Sequence, residues 1–253
     1  MIVDGERLHL LCLENYKRLF HRVSEDDGLT WSEPEEITDA LEARRAEYPW
    51  TCAAVGPGHG LRLPGGRLIA AVWLASNPGN ITAHGPSKIS TLYSDDHGKT
   101  WTLGEIFEPE GSVSPNETCV AALSDGRVIL NIRSRKPDGA PYTAPHYRYI
   151  AISADGSGNW ETWLEKQLPD PACCGGMCNF PGGLLFTNCD SYISRSNHTL
   201  RKSTDDGRTW SEALLYDPLA GYSDCIYNPA TGTAFVAYEH ERESELRVSE
   251  IEL

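Results

Sequence analysis

No apolar run in the 253 residues approaches the roughly 20 residues that a membrane-spanning helix requires. The opening segment MIVDGERLHLLCLENYKRLF lacks the cationic, then apolar, then small-residue order of a leader, so no signal peptide is expected in it. Positive charge is scarce. Lys and Arg number 22 against 36 Asp and Glu, a net charge of −14. Nucleic acids and anionic membranes are bound through cationic footprints, so neither is expected as a partner. Helical periodicity is nearly absent, and a single turn of helix is expected in LEARRAE (41–47). The eight cysteines form no C-x-x-C, and no histidine lies near the CCGGMC cluster (173–178), so no metal site is expected. Cys173, Cys174 and Cys178 are read as small buried hydrophobes, with a disulfide inside the cluster left open.

Turns are plentiful. The 23 Gly and 16 Pro fall in short clusters, which favours many short strands. One turn recurs: SEDDGLTW (24–31), SDDHGKTW (94–101), the worn SADGSGNW (153–160) and STDDGRTW (203–210), starting 70, 59 and 50 residues apart. An alternating stretch precedes each copy and a second short strand follows, so each copy reads as a hairpin turn. The Asp accepts turn amides, Gly supplies a positive φ, and Ser and Thr cap what remains. The acids of the second copy, Asp95 and Asp96, are expected to tie its turn, and Trp101 to wedge between strands of one blade. A second hairpin type recurs at 3–14, 63–73, 123–133, 180–188 and 228–239, a Gly- or Asp-rich turn leading into a strand. Two hairpins per unit suit a four-stranded blade, and irregular repeats of this length point toward propellers or solenoids.

The pattern S-x-D-x-G-x-T-W resembles the Asp-box, or BNR repeat. The segments between the boxes resemble sialidases in order. SPNETCVAALSDGRVILNIRSR (114–135) is similar to the sialidase stretch with a Glu and, sixteen residues later, an Arg: here Glu117 and Arg133. LLFTNCDSYISRSNHTLRKSTDDGRTW (184–210) is similar to the stretch that places an Arg before an N-x-T strand, here Arg195. DPLAGYSDCIYNPATGTAFVAYE (217–239) is similar to the nucleophile region, here Tyr222, and GPGHG (56–60) to a glycine turn of the family. The resemblance implies an all-β fold, a β-propeller of sialidase type, six-bladed in the family. About four to five blades are expected in one domain over residues 1–253. The family's first blade, with its R-I-P arginine and acid/base Asp, has no counterpart, and the box at Ser24 matches the family's second. Asp4, Arg7 and Arg22 lie in the wrong context to replace those groups. An incomplete ring is expected to leave sheet edges that pair or aggregate.

The implied activity is removal of terminal sialic acid from glycoconjugates, with no cofactor, by residues of sharply different chemistry. Sialic acid carries a carboxylate on its anomeric carbon, and guanidinium forks suit it. The resemblance gives Arg133 and Arg195 that task, while Arg135 and Arg201 are expected to make surface ion pairs. It makes Tyr222 the nucleophile, because a neutral phenol avoids repulsion from the substrate carboxylate, and Glu117 the base that takes its proton. Hydrolytic, transferring and anhydro-forming members share these residues. Two other readings stand beside this one: an inactive propeller that binds sialylated or other acidic glycans, and an interaction scaffold. The family's members are often secreted, periplasmic or lysosomal, so the resemblance does not fix a compartment.

Overall fold

A computed structural model describes residues 1–136, 143–219, 221–241 and 245–253. Its strands form five antiparallel sheets in chain order, a five-bladed β-propeller arrangement. Blade one is β1 (Ile2–Asp4), β2 (Arg7–Glu14), β3 (Arg18–Ser24) and β4 (Glu35–Glu36), followed by one helical turn, α1 (Asp39–Glu42). That turn overlaps the expected segment only at Leu41 and Glu42. Leu41 is buried and fixes where the turn sits. Blade two is β5 (Cys52–Val55), β6 (Leu61–Arg62), β7 (Leu68–Ala75), β8 (Ser87–Ser94) and β9 (Thr102–Leu103), with β5 and β6 both paired to β7. Blade three is β10 (Pro115–Ala122), β11 (Val128–Ser134), β12 (Tyr147–Ser153) and β13 (Glu161–Pro169). Blade four is β14 (Gly176–Phe180), β15 (Gly183–Cys189), β16 (Ser196–Ser203) and β17 (Leu214–Leu219). Blade five is β18 (Ser223–Asn228), β19 (Thr233–His240) and β20 (Glu245–Glu252).

Side-chain alternation explains why the blades stack. In β7 all eight residues are buried. Leu68, Ala70, Val72 and Leu74 join a cluster with Ile2 and Leu19 of blade one, whereas Ile69, Ala71, Trp73 and Ala75 join Val120, Leu130 and Ile132 of blade three. A strand buried on both faces reads as a continuous apolar run, as LIAAVWLA does. Two further clusters fill the boundaries between blades three and four and between blades four and five. Blade five buries Ala234, Val236 and Tyr238 against blade four, but Leu246 and Val248 on β20 stay exposed. Val3 on β1 is exposed as well. The terminal blades therefore each present apolar side chains to solvent.

The repeated turns close as their residue types require. In the second box, Ser94 Oγ donates to Asp96 at 2.8 Å, and Asp96 accepts the Thr100 amide at 2.8 Å and hydroxyl at 2.7 Å. Gly98, at φ +81°, donates its N–H to Ser94 Oγ at 2.9 Å. The boxes at Ser24 and Ser203 repeat these bonds through Asp26 and Asp205. Two expectations change. Asp95 does not tie the turn; it pairs with Arg67, which also reaches Asp155 in the box of the next blade. Trp101 wedges between blades rather than within one, meeting His21 of β3 edge-on at 5.4 Å. Trp160 likewise stacks on Phe107, at 5.2 Å. Removing the carboxylate in Asp96→Ala strands the Thr100 and Ser94 donors. It is expected to cost about 1–2 kcal/mol, measured by urea unfolding.

Buried histidines shape the response to acid. His21 stacks on His9 with a 2.9 Å nitrogen–nitrogen hydrogen bond, and His198 lies between Tyr216 and Tyr238. Burial pushes both His21 and His198 down from 6.5 to about 4. The unfolded chain thus binds more protons than the folded one between pH 6.5 and 4, so stability present above that window falls through it. Each group contributes a slope of up to about 1.4 kcal/mol per pH unit. Asp96 is held at about 2, chiefly by the Thr100 backbone and side-chain bonds, so its contribution is lost only as pH falls from 3.8 toward 2. Thermal melts across pH 7 to 4 are expected to show a falling Tm. A flat profile over that range would contradict burial of these rings.

Candidate active site

Four elements bring the four singled-out residues together around the inner strands. Glu117 sits in β10 where the pairing to β11 shifts register between Pro115 and Thr118. Such a bulge re-aims side chains, and this one sends Glu117 toward Arg133 and Tyr222. Arg133 lies near the end of β11, buried to 4% exposure. Tyr222 immediately precedes β18, and Arg195 immediately precedes β16.

The Tyr222 hydroxyl is the meeting point. It donates to Glu117 Oε1 at 2.5 Å and accepts from Arg133 Nη1 at 2.9 Å. Arg133 also forms an ion pair with the other oxygen of Glu117. The Arg195 guanidinium lies 5.0 Å from the centre of the Tyr222 ring, and that of Arg133 lies 5.8 Å from it. Residues separated by 105 positions in sequence are thus in direct hydrogen-bond contact. Burial pushes the Tyr222 phenol above its ordinary value, while the charges of Arg133 and Arg195 pull the other way. The resting phenol is therefore protonated, with its proton already directed at a carboxylate. Burial lowers Arg195, but Cys173 and Tyr222 outweigh it, so this guanidinium is held more firmly charged than usual.

Supporting residues fix these positions. Tyr222 is clamped through its main chain: its N–H donates to Glu239 Oε2 at 2.8 Å, and its carbonyl accepts the Glu239 N–H at 2.9 Å. The sequence pattern marked the strand ending in Tyr-Glu without assigning Glu239 this part. Asp224 accepts the His59 amide at 3.0 Å and contacts its Nδ1 at 2.9 Å, which ties the GPGHG turn of blade two to β18. Arg148, fully buried, donates to Asn131 Oδ1 and to the Cys173 carbonyl, while Asp170 accepts the Ser134, Ala172 and Cys173 amides. Together they brace the end of β11 and the 172–174 turn, whose Ala172 carbonyl receives Arg195 at 3.3 Å. No local motif flagged Arg148, because its partners, Asn131 and Cys173, lie on other strands and turns.

The other charged residues settle elsewhere. Asp4 pairs with Arg62 and His97, Arg7 with Glu25, and Arg22 donates to the Ser32 carbonyl. Arg201 is buried, not at the surface, and pairs with Asp190 at 2.8 Å while also bonding Asn188 and Thr199. The Arg135 amide donates to Val113. Tyr222 stands between two cavities. One, about 480 Å³, is lined by Glu117, Tyr16, Trp73 and His84; the other, about 360 Å³, is lined by Asp224, Glu239 and Val248. Among the described residues there is no cluster of three or more metal-ligating side chains.

A five-bladed arrangement with four Asp-box turns and an acid–tyrosine pair flanked by arginines defines a BNR-repeat propeller. Residues 12–235 match the BNR repeat-like domain family. The chain is 31% identical to a sialidase of Micromonospora viridifaciens over 85% of this chain and 34% of that protein. It is 28% identical to human Sialidase-3 over 79% of this chain and 46% of that one. The chain belongs to the sialidase family. Solved structures agree on the fold. A Hadza microbial sialidase, Hz136, superposes with a TM-score of 0.74 at 24% identity, covering 93% of this chain and 44% of that one. Trypanosoma rangeli sialidase with 2,3-difluorosialic acid, a covalent intermediate, gives 0.70 at 16% identity, covering 99% and 43%. The chain thus spans about a third to a half of the length of these relatives.

Proposed function

We propose that this chain carries the nucleophilic half of a retaining exo-sialidase site, in a single propeller domain. The observation that carries the reading is the 2.5 Å hydrogen bond from the Tyr222 hydroxyl to Glu117, with Arg133 bonded to the same oxygen. Sialylated glycans are the substrate class, as the names of the relatives suggest. Arg133 and Arg195 hold the substrate carboxylate. Tyr222 Oη attacks the anomeric carbon as its proton passes to Glu117, and the bond to the leaving glycan oxygen breaks. Water then cleaves the tyrosyl–sugar bond, its oxygen joining the anomeric carbon and its proton passing to solvent, with Glu117 returning the proton to Tyr222.

The leaving oxygen also needs a proton, and the family's acid/base Asp and R-I-P arginine have no counterpart in this sequence. An aryl leaving group needs little protonation, whereas a sugar alkoxide needs a full proton. The chain alone is therefore expected to turn over an aryl sialoside while cleaving a natural sialyl-lactose about 10²–10⁴-fold more slowly relative to an intact enzyme. Equal competence on both substrates would mean that another group supplies the acid.

The missing acid also favours a second reading, an inactive propeller that binds sialylated or other acidic glycans. Binding of sialic acid with no turnover of the aryl substrate would select it.

A further inference from the structure

Six of the eight cysteines are buried in three pairs, and none of the pairs lies inside the CCGGMC cluster. Each cysteine of that cluster faces a partner from another strand. The Cys225 thiol donates to Cys178 Sγ at 3.6 Å. Cys119 and Cys174 hydrogen-bond to each other and share the Gly175 carbonyl, at 2.7 and 3.3 Å. Cys173 and Cys189 also hydrogen-bond to each other and share the Gly221 carbonyl, at 3.0 and 3.7 Å. By contrast, Cys12 and Cys52, in blades one and two, have no cysteine partner. Cys12 only approaches the Phe20 carbonyl, and burial pushes the Cys52 thiol up to about 11.

The placement of two pairs is specific. Cys119 is on β10 and Cys174 leads into β14, so that pair joins blades three and four. Cys178 is on β14 and Cys225 on β18, so that pair joins blades four and five. Both lie on or beside first strands, where neighbouring blades approach most closely. The third pair sits within blade four. Blade five is the sheet with three strands and with exposed Leu246 and Val248, and it meets blade four through one apolar cluster and through Asp217 of β17, which pairs with His240 and Arg247.

We propose that Cys178–Cys225 and Cys119–Cys174 are inter-blade disulfide sites that staple blades three, four and five together in an oxidising medium. For each bridge, a small disulfide such as oxidised glutathione accepts two electrons. One cysteine thiolate attacks it and releases one glutathione thiol. The second cysteine then attacks the mixed disulfide, releases the other thiol and forms the cystine bond, with two protons leaving the protein. Exchange proceeds through thiolates, and in the folded chain the hydrogen bond with the partner and burial push Cys174 and Cys225 up. Oxidation therefore takes place as the blades dock, before the sulfurs are sealed from solvent. The loops closed span sequence separations of 55 between Cys119 and Cys174 and 47 between Cys178 and Cys225. Closing loops of this size constrains the unfolded chain strongly.

The test is to refold the chain in a glutathione redox buffer, alkylate residual thiols in denaturant, and map non-reduced peptides by mass spectrometry. Peptides joined through Cys178–Cys225 and Cys119–Cys174 are expected, with a Tm roughly 5–10 °C above that of the dithiothreitol-treated chain. The Cys178→Ala/Cys225→Ala double variant is expected to lose the Cys178–Cys225 bridge and part of that Tm difference. Eight alkylated thiols, bridges confined to Cys173, Cys174 and Cys178, or a Cys173–Cys189 bridge alone would overturn the proposal. The wild-type peptide map decides the matter even where the double variant does not fold.

Discussion

Tyr222→Phe is expected to lower turnover of an aryl sialoside by roughly 10³-fold or more, while sialic acid affinity changes by no more than about threefold. The substitution removes one oxygen and nothing else. Glu117 and Arg133 keep their ion pair, and the main-chain clamp between residue 222 and Glu239 does not depend on the side chain. The fold should therefore survive, and a calorimetric melt provides the control. A nucleophile and a merely bound tyrosine differ in this split: the first loses kcat, the second loses affinity. Retained kcat with weakened binding would assign Tyr222 to the wall of the pocket instead.

Arg133→Met is expected to damage both binding and stability. Arg133 is almost wholly buried, and Glu117, at 17% exposure, is its partner. Removing one member of such a pair leaves an uncompensated carboxylate, at a cost of about 3–5 kcal/mol. Sialic acid affinity is expected to fall roughly 10²-fold or more if Arg133 is the proposed partner of the substrate carboxylate. Adding Glu117→Gln to Arg133→Met removes the stranded charge. The double variant is expected to recover most of the Tm without recovering affinity. Denaturant melts and isothermal titration separate the two effects. An Arg133→Met chain that binds sialic acid as the parent does would remove Arg133 from the site.

Features of local origin were legible in the sequence. The Asp-boxes close through bonds spanning two to four residues, from Ser94 to Asp96 and from Asp96 to Thr100, so residue order suffices to define them. The inner hairpins are equally local, and the blades follow from them. Glu117, Arg133, Arg195 and Tyr222 were found through ordered resemblance, and the structure brings them together across 105 residues. What lay hidden depends on how blades dock. Trp101 meets His21 in another blade, and Cys178 meets Cys225 across a blade boundary. Neither has a local signature, because each partner is set by sheet stacking. The misplaced helix has the same cause. Charged LEARRAE looks helical by composition, but burial of Leu41 draws the turn toward Asp39.

The central claim is that Tyr222 attacks the anomeric carbon, and a covalent trap tests it most directly. In 2,3-difluorosialic acid the anomeric leaving group is fluoride, which departs without a proton, so the first step needs no acid. Intact-mass and peptide mass spectrometry after incubation should find one sugar adduct per chain, on the peptide containing Tyr222, and none in Tyr222→Phe. An adduct on another residue, or none while the compound is bound, would contradict the account.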